Sequence, residues 1–187
     1  MDFAPPPQLT SPSSNFVTSS QLAQCGQFLA HRFKHSNLGV TKVVAPRSGV
    51  ILAHGVALNL QLPMVVAGTK SPMISSPDGV VHSSSRAAGG VYEDDQTLYL
   101  SAEFVCPGDK VLVIDDVLAS GKMAAAVVEL VKACGATAVG CGFLIEKGYC
   151  NGRGALGLPA EAVIEPVVRI QGISGGNIEF ADADLCW

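Results

Sequence analysis

The sequence predicts an α/β domain in which a mostly parallel sheet is flanked by helices. The apolar run 111–114 is typical of a buried strand, and a helical stretch follows at 122–133. Residues 40–45 and 50–60 repeat this order of strand, loop and helix, and the apolar run 137–145 adds another buried strand. Strands that alternate with helices in this way are typical of parallel sheets.

Length and composition predict one well-filled domain. The 187 residues suit a single domain, with 48% hydrophobic and 15% charged residues and a positive mean hydropathy. We expect a subunit contact from this composition. The net charge of −4 argues against general nucleic-acid binding, and no apolar window is long enough to predict a membrane span.

The first twenty residues are rich in Pro and Ser, and we expect a flexible arm over 1–20 followed by one domain over 21–187. The first basic residue is Arg32, which fits neither a secretory nor a transit peptide. The six cysteines show neither a C-x-x-C pair nor zinc spacing, so we expect reduced thiols and a cytoplasmic location.

The first helix is predicted from a cap at Ser19 or Ser20 to about Phe33. Its buried face is predicted to carry Leu22, Cys25, Leu29 and Phe33. His31 and His35 have helical spacing, but no acid lies between them as in H-E-x-x-H, so we interpret them as solvated rather than metal-binding.

The first strand, 40–45, leads through the turn 46–49 into the helix 50–60. Ser48 and Gly49 begin this helix, where main-chain N–H groups can bind an anion, and Arg47 adds a cation. This strand, turn and helix together predict one anion site, and the motif at 111–123 predicts a second.

A short strand at 64–67 precedes the long segment 68–96, which is rich in Gly, Ser, Pro and Asp. We interpret 68–96 as a lid loop that excludes water, with a tolerated insertion as the alternative. Its fixed cations are Lys70 and Arg86, and Tyr92 could stack. A strand at 97–102 follows.

The central motif is predicted to bind a sugar phosphate. Asp115 and Asp116 are expected to end the strand, Ser120 and Gly121 begin the helix 122–133, and Gly135 caps it. Amides at the helix start bind phosphate, Gly121 allows close approach, and the acids accept hydrogen bonds from hydroxyls. A Walker loop is excluded, because Asp116 and Met123 occupy its Gly and Ser/Thr positions. A metal-binding receiver domain is also disfavoured, because such domains carry their Asp pair near the start of the chain and here more than a hundred residues precede it.

Lys147 follows the strand 137–145 and is expected at the same sheet edge as Asp115, where it could donate to an oxo group while Tyr149 stacks on a base. The G-x-G-x-x-G at 152–157 does not directly follow a strand, so we reject it as a dinucleotide site. Residues 162–168 and 177–180, joined by Ser174-Gly175-Gly176, predict a terminal strand pair or hairpin.

Residues 111–123 resemble the phosphoribosyl-diphosphate signature of the type I phosphoribosyltransferases: four apolar residues, two acids, a small hydroxyl residue and Gly. Within that family the chain is most similar, over about 20–187, to bacterial enzymes specific for xanthine. Those enzymes carry Asp-Asp-x-Leu-Ala-Asn-Gly-Gln-Ala where this chain has 115–123, and Ile-Glu-Lys-Ser-Phe where it has 145–149.

Two further matches carry the resemblance. A Gly-Arg pair follows the second motif, here Gly152 and Arg153, and the early Ala-Ser-Gly-Ile loop aligns with 47–50. Adenine phosphoribosyltransferases share Ala119 but lack the Glu-Lys-aromatic element, and hypoxanthine-guanine enzymes have an Asp in place of Ala119.

The resemblance implies the type I fold, with a flexible lid loop and a small hood, a homodimer, Mg²⁺, and transfer from phosphoribosyl diphosphate to a purine base. It assigns phosphoribosyl-diphosphate binding to Asp115, Asp116, Ala119, Ser120, Gly121, Lys122 and Met123. Of these, the two acids would be catalytic and would hold the metal through water. Pyrophosphate binding falls to Arg47, Ser48, Gly49 and Lys70, and base binding to Lys147, Tyr149 and Val117.

We therefore expect a purine salvage enzyme for a 6-oxopurine, with xanthine favoured and guanine or hypoxanthine possible. A Lys ammonium only donates hydrogen bonds, which disfavours adenine. Two alternatives stay open: a non-catalytic regulatory protein that senses phosphoribosyl diphosphate, and a pyrimidine or orotate enzyme.

Overall fold

The computed structural model describes residues 18–69, 80–84 and 97–181. Its three helices are α1 Ser19–His35, α2 Val50–Leu60 and α3 Lys122–Ala133. Its eight strands are β1 Lys42–Pro46, β2 Met64–Ala67, β3 Val80–Ser84, β4 Thr97–Ser101, β5 Lys110–Leu118, β6 Thr137–Lys147, β7 Val163–Ser174 and β8 Asn177–Phe180. None of the helices described is long and apolar enough to cross a membrane.

The main sheet has six strands in the order β2-β1-β5-β6-β7-β8. All neighbours pair in parallel except β7 and β8, which form the predicted terminal hairpin. Strands β3 and β4 form a separate antiparallel pair. The mostly parallel α/β architecture predicted from the sequence is thus confirmed.

Helices cover both faces of this sheet. On one face, α1 and α2 bury Phe33 and Val56 against Ile114 of β5. On the other face, Val127 of α3 packs with Phe143 of β6, and β4 joins this second core cluster. Strand β5 is therefore buried on both sides, as its continuous apolar run predicts.

Several predicted boundaries are wrong: β1 begins at Lys42 rather than at residue 40, and β7 continues to Ser174 rather than ending at 168. The acids do not end the central strand, because β5 continues through them to Leu118 while pairing with β6. The cap of α1 is Thr18 rather than Ser19 or Ser20: its Oγ1 accepts a hydrogen bond from the Gln21 amide, and the Gln21 side chain accepts one from the Thr18 amide.

The segment 68–96 is only partly described. Its residues 80–84 form β3, which corrects the expectation of a wholly irregular segment. Lys70, Arg86 and Tyr92 lie outside the described residues, so the lid remains a prediction.

The described cysteines are free thiols, as expected. Cys25, Cys134 and Cys141 are buried, and burial raises the pKa of Cys25 to about 11, although a backbone hydrogen bond partly opposes this. Cys106 and Cys150 are exposed. His31 and His35 are also exposed, in agreement with their interpretation as surface residues.

Candidate active site

The two predicted anion loops, 47–49 and 119–121, follow neighbouring strands at the point where the strand order of the sheet reverses. Strands β1 and β5 are neighbours, and the chain continues from β1 to β2 on one side and from β5 to β6 on the other. The 3-10 turn Arg47–Gly49 follows β1, and residues 119–121 follow β5. Ligands of open α/β sheets bind outside the strand ends at such a switch point.

The first loop lies directly against the central strand. A Cβ on Gly49 would overlap the carbonyl oxygen of Ile114 and approach the Cα of Asp115 at 2.6 Å, so this position accommodates only glycine. The Ser48 hydroxyl donates to Oδ1 of Asp115 at 2.7 Å. The predicted pyrophosphate loop and the first predicted acid are therefore in direct contact.

Asp115 lies inside the sheet, only 2% exposed. Burial raises the pKa of its carboxyl to about 7, the Ser48 hydrogen bond opposes this rise, and the charge of Asp116 adds to it. The Asp116 amide also donates to Oδ1, at 2.9 Å. Neither bond uses Oδ2, so this second oxygen can accept a hydrogen bond from a ligand.

Asp116 is half-buried, and its Oδ1 accepts a hydrogen bond from the Val117 amide at 2.8 Å. The two adjacent carboxylates provide the hard oxygen atoms that Mg²⁺ prefers. Because Mg²⁺ keeps several waters and takes oxygens from its ligand, two acids fit it. Among the described residues, no group of three or more His, Cys, Asp or Glu side chains could hold a metal.

The second loop begins α3 with Gly121 at φ +78°, a left-handed conformation that favours glycine. Gly121 has no side chain to cap this helix start, and main-chain amides at a helix start can bind an anion. Ser120 and Lys122 are exposed, whereas Met123 packs against the core beneath α3. Ala119 is half-buried.

The need for glycine at 121 has a second cause that the sequence did not predict. A Cβ on Gly121 would overlap the carbonyl oxygen of Gly152, and a Cβ on Gly152 would overlap that of Ala119. The phosphate loop therefore packs backbone to backbone against the 3-10 turn Gly152–Ala155. This short turn is not the strand-to-helix setting of a dinucleotide site, so the rejection of that motif is confirmed.

The predicted base-contacting residues come from two neighbouring strands. Val117, 36% exposed, is opposite Ile145 in the β5–β6 ladder. Lys147 is the half-buried last residue of β6, and Tyr149, half-exposed, follows in the 3-10 turn Gly148–Cys150. All three belong to the edge that carries the acids, whereas Lys70 lies outside the described residues.

Two charged residues of this region received no role from the sequence. Glu146 is buried, and Arg153 binds it through Nε at 2.7 Å and Nη2 at 2.6 Å. Both residues match family motifs, which indicated that they belong to the site. Nothing in the sequence indicates that the two side chains bind each other.

A cavity of about 640 Å³ lies elsewhere, along β2 and β4. Lys42, Met64, Val66, Tyr99 and Phe104 contribute to its lining, and neither predicted acid does. We place the candidate site at the strand ends, because convergent polar groups and a perturbed pKa are better indicators of chemistry than volume.

The chain is similar to known proteins over most of its length. The model of the phosphoribosyl transferase domain family matches residues 18–153. The xanthine phosphoribosyltransferase of Shouchella clausii is 32% identical, covering 89% of this chain and 81% of that protein. That of Moorella thermoacetica is 35% identical, covering 85% and 79%.

Solved structures with a similar fold include adenine phosphoribosyltransferases. The Giardia lamblia enzyme, complexed with 9-deazaadenine, has a TM-score of 0.67 at 24% identity and covers 83% of this chain and 82% of its own. At that identity the likeness concerns the fold alone. The Rhodothermus marinus enzyme has a TM-score of 0.65 at 27% identity and covers 89% and 92%.

Proposed function

The chain belongs to the phosphoribosyl transferase domain family, and from this we propose that it transfers 5-phosphoribose from phosphoribosyl diphosphate to a 6-oxopurine, with xanthine preferred. The chain is a purine phosphoribosyltransferase. Its sequence relatives are named for xanthine and the similar solved structures for adenine, so the choice of base is the part proposed.

The element Glu146-Lys147-Gly148-Tyr149 supports a 6-oxopurine. It follows β6, the parallel neighbour of the strand that carries the acids. Lys147 can donate to the oxo group of xanthine, guanine or hypoxanthine, whereas the 6-amino group of adenine offers no acceptor there. Tyr149 can stack on the base, and Val117 can contact it.

Each of the two loops binds one end of phosphoribosyl diphosphate. The amides of 119–123 bind the 5-phosphate, and Arg47 with the amides of Ser48 and Gly49 binds the pyrophosphate, together with Lys70. Asp116 and Oδ2 of Asp115, the oxygen that the bonds from the Ser48 hydroxyl and the Asp116 amide do not use, accept hydrogen bonds from the ribose hydroxyls. Holding both ends fixes the anomeric carbon in front of the ring nitrogen of the base.

The reaction breaks the bond between the anomeric carbon and pyrophosphate. Positive charge develops on the sugar, where the two carboxylates offset it, and negative charge develops on the leaving group, where Arg47 and the amides stabilise it. Mg²⁺, held by Asp115 and Asp116 through water, would supply further charge for the leaving pyrophosphate. We also propose a homodimer in the cytoplasm.

The test is pyrophosphate release with xanthine, guanine, hypoxanthine, adenine and uracil in turn. We expect release to be fastest with xanthine. Lys147→Ala should lower kcat/KM for xanthine by about 10-fold to 100-fold, the value of a charged hydrogen bond, with a smaller effect on the KM for phosphoribosyl diphosphate. Asp116→Asn should lower turnover with every base.

Lys34→Ala, the same substitution at an exposed position on α1, is the control and should leave both constants unchanged. Turnover of adenine as fast as xanthine would contradict the role of Lys147. Binding of phosphoribosyl diphosphate without release of pyrophosphate in the presence of any base would instead favour the sensor. Release of pyrophosphate with uracil alone would favour the pyrimidine enzyme.

A further inference from the structure

Glu146 is a buried carboxylate to which the proposed chemistry gives no task. Its side chain is 3% exposed, at the end of β6 and next to Lys147. Removing a carboxylate from water costs several kcal/mol unless charged partners and hydrogen bonds compensate. An acid at this depth therefore indicates a structural or positioning requirement.

The partners of Glu146 come from two other segments. Arg153 binds both carboxylate oxygens, through Nε at 2.7 Å and Nη2 at 2.6 Å, which is a bidentate geometry with strong orientational preference. Arg169 of β7 has its Nε 3.5 Å from Oε1. The carboxylate thus ties the turn that contains Arg153 to the end of β6 and to the middle of β7.

That turn is the surface on which the phosphate loop rests. Gly152, the neighbour of Arg153, packs so closely that a Cβ there would overlap the Ala119 carbonyl oxygen and lie 3.0 Å from the Gly121 amide nitrogen. Glu146 is also the ladder partner of Leu118, the residue before Ala119. The phosphate loop 119–121 therefore contacts the turn that Glu146 binds through Arg153, and it directly follows the strand residue that pairs with Glu146.

We infer that Glu146 and Arg153 are positioning residues for the phosphate loop, acting through Gly152 on the amides that bind the 5-phosphate of the sugar. The inference rests on the proposed function. Neither side chain needs to touch the ligand. Loss of the bidentate pair should let the turn shift, and the amides of 119–121 would then no longer converge on one phosphate.

The test uses two conservative variants of the full chain. Arg153→Lys keeps a positive charge beside the buried acid but cannot form the two parallel hydrogen bonds. Glu146→Gln keeps the size and removes the charge. Calorimetric titration with ribose 5-phosphate measures binding at the phosphate loop, and titration with pyrophosphate and Mg²⁺ measures binding at the Arg47–Gly49 turn.

We expect both variants to bind ribose 5-phosphate about 10-fold to 100-fold more weakly, the cost of misplacing a binding group by about 1 Å, and to bind pyrophosphate as the unaltered protein does. The KM for phosphoribosyl diphosphate should rise with little change in kcat. Glu165→Gln is the matched control, because its pair with Arg32, at 2.9 Å, joins α1 to β7 away from both loops. It should change neither affinity.

Unchanged ribose 5-phosphate binding in both variants would overturn the inference. So would an equal loss of both ligands, which would indicate a general structural role. If the unaltered protein binds pyrophosphate but not ribose 5-phosphate, the proposed function itself fails, and this result differs from the other two.

Discussion

Asp115 illustrates how a single residue can be kept at a cost to stability. Burial raises the pKa of its carboxyl in the folded chain from the ordinary 3.8 to about 7, with Ser48 opposing the shift and Asp116 adding to it. Between these two values the folded state binds more protons than the unfolded state, so the free energy of unfolding falls as pH rises. Above about pH 7 the full cost is present.

Asp115→Asn removes this cost. In EDTA and without ligand, we expect the variant to unfold at least about 3 °C above the unaltered protein at pH 8, which corresponds to about 1 kcal/mol for a chain of this size. The gain should shrink at pH 5, where the folded acid is already protonated. Catalytic activity should fall, since an amide replaces the carboxylate that we propose binds the ribose hydroxyls.

Calorimetry over pH 5–8 measures the difference in unfolding temperature between Asp115→Asn and the unaltered protein, with Glu129→Gln as the control. Glu129 is 62% exposed in a surface pair with Lys132, so its loss should have a small effect that varies little with pH. A variant Asp115→Asn that is less stable than the unaltered protein at pH 8 would contradict the burial argument.

At the scale of elements, the strand ends are held together by close backbone contacts. Gly49 lies against β5, and Gly121 and Gly152 lie against each other at the start of α3. A side chain at any of these positions would separate two segments of the candidate site. The loops are therefore fixed in position by the absence of side chains as much as by hydrogen bonds.

Gly152→Ala tests this packing. Its Cβ would overlap the Ala119 carbonyl oxygen, so we expect a loss of about 1–3 kcal/mol in stability, as for an overpacked core, and weaker binding of ribose 5-phosphate. Chemical denaturation and calorimetric titration measure the two effects.

Gly154→Ala is the matched control in the same turn. A Cβ on Gly154 would meet nothing within 4 Å, so this variant should retain both stability and affinity. Equal behaviour of the two alanine variants would show that the close contact with Ala119 has no consequence.

At the scale of the whole molecule, the outer side of α2 exposes apolar surface. Ile51 is 69% exposed and Leu58 is 67% exposed, and their spacing of seven residues places them on the same side of the helix. Together with the low charged fraction, this surface supports the expectation of a homodimer.

Light scattering on the purified chain tests the dimer. We expect a mass of twice 19.3 kDa at micromolar concentration, retained in high salt because apolar contacts are not screened. A mass of 19.3 kDa throughout would contradict the expected homodimer and would leave the proposed chemistry unaffected.

Much of the fold followed from local patterns. The bounds of α2, α3 and β2 agree with the predicted ones, because apolar periodicity and glycine caps depend on neighbours in the chain. The predicted end of β5 was wrong, because a pair of acids is normally found outside a core. In the folded chain, pairing with β6 and the hydrogen bond from Ser48 allow Asp115 to remain inside the sheet.

By itself, the sequence determined the order of the strands and helices along the chain apart from β3, and also the two predicted anion loops and the acid pair. Each of these depends on residues that are adjacent in the chain. The tertiary structure alone decided that Ser48 would bond Asp115, that Gly152 would support Gly121 and that Arg153 would bind Glu146. Each of these contacts depends on the order and register of the parallel strands and on the backbone path of the loops after them. Those features arise only when the strands and helices pack together on both faces of the sheet.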